Sequence, residues 1–111
     1  MLTIEKLRAY GADVEDGLAR CMNMEDFYLG LVGKVCEDDK FPVLEQYLKD
    51  GDLDKAFETA HALKGMYANL SLTPLLKPVS EMTELLRART DTDYFSLLEE
   101  AKEKYKVLCD L

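Results

Sequence analysis

One histidine, His61, stands in the run Ala60-His61-Ala62-Leu63-Lys64-Gly65. Imidazole side chains titrate near neutrality, which leaves a nucleophilic fraction at cytosolic pH. Lys64 follows at a spacing where side chains on one helix meet, so its ammonium can reach a group attached to the ring. Phosphoryl oxygens attract such a charge-assisted donor strongly. Gly65, four residues on, costs about 1 kcal/mol relative to alanine inside a helix, so some gain must offset it. Either it clears the surface over the histidine, with Ala68 extending the cleared strip, or it relieves a tight crossing between helices. Glu58, one turn before His61, could orient the ring or lie on a solvated face. The chemistry these residues suit is acceptance of a phosphoryl group brought by another protein.

The helix that must position them is legible. Leu53, Ala56, Ala60, Leu63, Tyr67 and Leu70 alternate by three and four residues, the spacing of a core stripe. At about 100° per residue, His61 points roughly 130° away from the centre of that stripe. Asp54, Gly65, Ala68 and Leu72 fall on the side of His61, and Lys64 lies on the flank between. Asp52 caps this helix after the Asp50-Gly51-Asp52 turn, and it runs to about Leu70.

The remaining segments also have helical periodicity, and none alternates as a strand does. Thr3 caps a short helix through Tyr10 that Gly11 ends, and Asp13 starts a second to about Cys21. Asn23 is the expected N-cap of a helix to about Asp38. Phe41-Pro42 breaks the chain before a short helix carrying Val43 to Leu48. Ser71 to Pro74 is the next break, with Thr73 as cap. The following helix reaches about Arg89, with Pro78 one turn inside it, where it is tolerated or bends the start. Thr90 to Asp93 precedes a final helix from Tyr94 to about Cys109. Short connections imply antiparallel neighbours, so the expected architecture is an all-α, up-down bundle forming a single domain over 1–111.

Composition narrows the classes. With 111 residues, 48% of them apolar, the chain can build one core. Fourteen Lys and Arg against twenty-two Asp and Glu give a net charge of -8 with no segregated basic patch, which argues against nucleic acid. So charged a surface favours a monomer. Cys21, Cys36 and Cys109 are odd in number and form no C-x-x-C pair, so neither a disulfide framework nor a zinc site is expected, and reduced thiols fit a cytoplasmic protein. No secretory signal is visible at Met1, and no apolar stretch approaches the ~18 residues of a membrane span.

The run Ala60 to Gly65, continuing through Ala68-Asn69-Leu70, resembles the histidine-containing phosphotransfer (HPt) domain, whose central helix carries A-H-x-L-K-G with small residues beyond. Gly17-Leu18-Ala19-Arg20 and Tyr28-Leu29-Gly30-Leu31-Val32 are similar to its preceding helices. With Leu75 and Leu85-Leu86, the likeness spans nearly the whole chain. The resemblance implies a four-helix bundle with an extra short N-terminal helix. It also implies a phosphocarrier without kinase activity, which relays phosphoryl groups between receiver-domain aspartates of response regulators or accepts them from a histidine kinase. His61 would be the phosphoacceptor, Lys64 the phosphate-stabilising cation, and Gly65 and Ala68 the clearance for a receiver. No cofactor is implied, and any Mg²⁺ would belong to the receiver. Two positions depart from the family pattern. Ser71 stands where many members have glycine, and Thr83, with Glu84 beside it, stands where many have a Gln or Glu that hydrogen-bonds the imidazole. Thr83 could still accept such a bond.

Two rival readings have sequence content. Glu58-Thr59-Ala60-His61 has the Glu-x-x-His spacing of di-iron bundles, but such a site needs two of these motifs with their side chains inward. A phosphate-free helical interaction module, a degenerate form of the same fold, would have no need of His61, Lys64 and Gly65 together.

Overall fold

Caps and turns set the element boundaries. The Thr3 hydroxyl accepts the Lys6 N–H and opens α1 (Ile4–Tyr10), which Gly11 ends at φ 111°, a backbone conformation that favours glycine. The Asp13 carboxylate accepts the Asp16 N–H at the start of α2 (Val14–Arg20). In the computed structural model, which describes residues 1–111, seven helices and no strand follow from such signals.

Two expected caps are displaced. Asn23 does not open α3 (Glu25–Glu37), whose N-cap is Met24, without a side-chain bond. Met22 and Asn23 are both left-handed, at φ 56° and 59°, and the Asn23 N–H donates to Leu18 O, closing α2 instead. Asparagine tolerates that conformation better than most residues, so the turn claims it. Likewise Thr73 is the first residue of α6 (Thr73–Arg87) rather than its cap, which is Leu72. Pro42 sits in the first turn of α4 (Phe41–Lys49), where its missing N–H costs nothing, so this helix begins at Phe41 itself. Pro78 is buried within α6, and the helix runs on through it. Asp52 caps α5 (Leu53–Asn69) and Asp93 caps α7 (Tyr94–Cys109), both with carboxylate bonds to backbone N–H groups.

Helices α4 to α7 form the four-helix bundle. Lys64 with Glu84, and Asp54 with Arg89, show that α5 and α6 run antiparallel; Glu45 with Lys102, and Phe41 with Tyr105, show the same for α4 and α7. The core stripe of α5 is buried at Ala56, Ala60, Leu63 and Tyr67, against Leu75, Val79, Met82 and Leu86 of α6 and Leu98 and Ala101 of α7. Burying each leucine contributes about 1.5–3 kcal/mol.

Three helices, α1 to α3, precede the bundle. They close the end of the bundle where α5 stops and α6 starts. The Tyr28 hydroxyl donates to Leu70 O at 2.8 Å, the Asp13 N–H to Ser71 O at 3.0 Å, and Tyr10 to Lys104 O at 2.8 Å. Burial pushes the Tyr28 phenol up to about 12, which keeps it a donor. Ser71, one of the two positions that depart from the resemblance, is left-handed at φ 54°. Its strain is offset by the bond from its hydroxyl to Asp16 and by the carbonyl bond from Asp13. The number and spacing of the three cysteines predict reduced thiols, but Cys36 at the end of α3 and Cys109 at the end of α7 form a disulfide, with Cα atoms 5.5 Å apart. Only the fold could bring together two cysteines 73 residues apart; Cys21 is free and buried. No helix is long and apolar enough to cross a membrane.

Candidate functional site

His61 lies near the middle of α5 and is exposed, between buried Ala60 and exposed Ala62. The outward direction follows from the helix itself: Ala56, Ala60, Leu63 and Tyr67 occupy the core face. Glu58 is exposed one turn earlier. The outward pair Glu58 and His61 has no second motif facing it, and no group of three or more His, Cys, Asp or Glu side chains is gathered as a metal site requires.

Gly65 is exposed, and a Cβ built on it would meet no atom within 4 Å. The helix-crossing account of this glycine is therefore removed, since no neighbouring helix approaches it. What lies over Gly65 is open space beside the imidazole. Ala68, one turn on, is half-buried. Leu72, expected on the same side, is past the end of α5 and fully buried, because the chain has already turned into α6.

Lys64 is not a free cation. Its ammonium lies 3.0 Å from Glu84 Oε1 across the α5–α6 seam, and the other oxygen of that carboxylate takes the Arg87 Nε–H at 3.1 Å. Hydrogen bonds from Lys64 and then Arg87 hold the Glu84 carboxyl below its usual range. Arg87 in turn stacks its guanidinium 4.9 Å above the centre of the Phe57 ring. The Phe57 ring is 5.4 Å from the imidazole, centre to centre, tilted by 51°.

The ring-orienting partner expected at Thr83 takes a different place. Thr83 is fully buried, and its hydroxyl donates to Val79 O at 2.7 Å within its own helix. No hydrogen bond joins it to His61. The aromatic face of Phe57 is the neighbour that the imidazole has instead. Phe57 sits four residues before His61, so helical spacing alone could have found it. Glu84 and Arg87 could not be found that way, because their approach depends on how α6 registers against α5.

The arrangement presents an exposed imidazole, a lysine one turn on along the same helix, and open space over Gly65 beyond it. A family model described as the Hpt domain matches residues 37–110, which take in all four helices of the bundle. No curated protein and no solved structure matches the chain.

Proposed function

The chain belongs to the Hpt domain family, and on that premise we propose that it is a phosphocarrier of a two-component phosphorelay, with His61 as the residue that accepts and donates the phosphoryl group. At family level, Hpt domains serve histidine phosphotransfer and are carriers rather than enzymes, working with receiver domains and kinases. The observation that carries the reading for this chain is the exposed imidazole with open space over Gly65 beside it.

The chemistry needs no cofactor from this protein. The lone pair of the outer ring nitrogen attacks the phosphorus of a receiver's aspartyl phosphate. An N–P bond forms as the P–O bond breaks, and the P–O electron pair leaves with the aspartate as a carboxylate. The other ring nitrogen keeps its proton, and the reverse step regenerates neutral imidazole. Lys64 is the cation within reach of the transferred group, and Gly65 and Ala68 leave room for the receiver's active-site loops. Glu58 lines the approach without an ion pair of its own. We place the protein in the cytoplasm as a monomer, exchanging with response-regulator receivers or a histidine kinase.

The test is label transfer from phosphorylated receivers encoded in the same genome. The product should be acid-labile and alkali-stable, as phosphohistidine is. His61→Gln should abolish labelling while leaving the helical spectrum and melting temperature nearly unchanged, because an exposed side chain supports little packing. Label on the substituted protein would remove His61 from the role. If no receiver transfers label, the chain is the phosphate-free interaction module instead.

A further inference from the structure

We infer that Glu84 is a positioning residue that sets how much phosphoryl group His61 retains, by holding Lys64 when the imidazole is bare and releasing it to the phosphoryl group. This inference rests on the phosphotransfer reading of His61. Lys64 stands three residues after His61, Arg87 lies over the Phe57 ring that neighbours the imidazole, and a single carboxylate binds both cations, at 3.0 and 3.1 Å. One of the three Lys64 N–H donors is committed to Glu84, and the carboxylate offsets the charge of the ammonium, so a group on the ring meets a partly neutralised cation.

The competition has a definite direction. A phosphoryl group carries more negative charge than a carboxylate and offers three acceptor oxygens, so it outbids Glu84 for the ammonium. The exchange leaves Glu84 with a partner. Arg87 remains on the carboxylate and is itself held over Phe57. Glu84 side-chain exposure of 54% lets the freed oxygen turn to water. Every unit of attraction between Glu84 and Lys64 nevertheless opposes phosphorylation, and the residual negative charge of Glu84 does so again. The carboxylate thereby keeps the phosphohistidine at high transfer potential.

The experiment measures the phosphoryl ratio at equilibrium with a receiver that exchanges label with the unsubstituted protein. Glu84→Gln should raise the fraction held on His61 by about two- to five-fold, the scale of an exposed ion pair. Lys64→Ala should lower it. Glu84→Gln added to Lys64→Ala should raise it by less than in the parent, since one route of the effect is gone. A ratio unmoved by Glu84→Gln, or the same increment with and without Lys64, overturns the inference while leaving phosphotransfer intact. Thermal melts of the three variants should coincide with the parent, and a melt that tracks the ratio would mark Glu84 as merely structural and overturn the role as well. Absence of label on the parent protein with every receiver overturns both the inference and the phosphotransfer reading.

Discussion

At the scale of single residues, the site is a set of side chains with few obligations to the fold. Gly65 shows this most directly. A methyl group placed there meets nothing within 4 Å, and its absence weakens a seventeen-residue helix. Gly65→Ala should therefore stabilise the protein by about 1 kcal/mol in chemical denaturation, the ordinary difference between the two residues in a helix. On the proposed phosphotransfer reading, the same substitution should slow phosphoryl transfer from a receiver, because the added carbon occupies the open strip beside His61. A faster or unchanged transfer rate would dissociate the glycine from docking. The angular position of His61 was readable from spacing, since its own helix fixes it. The partner of Lys64 was not, because Glu84 lies on another helix and meets it only through the packing of α5 against α6.

At the scale of elements, the bundle helices are joined to their N-terminal neighbours by a few close contacts. Gly17 in α2 is buried directly against Tyr28 of α3, and a Cβ there would lie 2.7 Å from the ring and its hydroxyl oxygen. Tyr28 cannot withdraw without giving up its bond to Leu70 O. Gly17→Ala is expected to destabilise the fold by about 1–3 kcal/mol, the usual cost of overpacking, with a lowered denaturation midpoint. A midpoint equal to the parent's would mean that α3 is free to shift. Helix starts are legible in the sequence where a carboxylate caps them, as at Asp13, Asp52 and Asp93. Asn23 is not such a start, because a residue type suited equally to a cap and to a left-handed turn is claimed by the turn.

At the scale of the whole molecule, the disulfide between Cys36 and Cys109 joins the end of α3 to the end of α7 and closes most of the chain into one loop. In the chain-entropy account, a closed loop of 73 residues stabilises the folded state by about 4 kcal/mol. Reduction should therefore lower the melting temperature of the oxidised protein, and Cys109→Ser should melt like the reduced form with no further response to reductant. A parent protein indifferent to reductant would show that the two thiols are not bonded in solution. Because Cys36 and Cys109 lie at the end where α3 meets α7, and His61 lies mid-way along α5, labelling of His61 should survive reduction wherever the protein remains folded.

The amino-acid sequence by itself determined the helical class, the core stripe of α5 and the outward direction of His61, because each depends on spacing within one helix. Only the tertiary structure decided that Lys64 is held by Glu84, that Gly65 faces open space and Thr83 the core, that Ser71 takes the left-handed turn, and that Cys36 meets Cys109. Those outcomes depend on the register and crossing of helices far apart in the chain. Packing of whole faces sets that register, and no local pattern of residues encodes it.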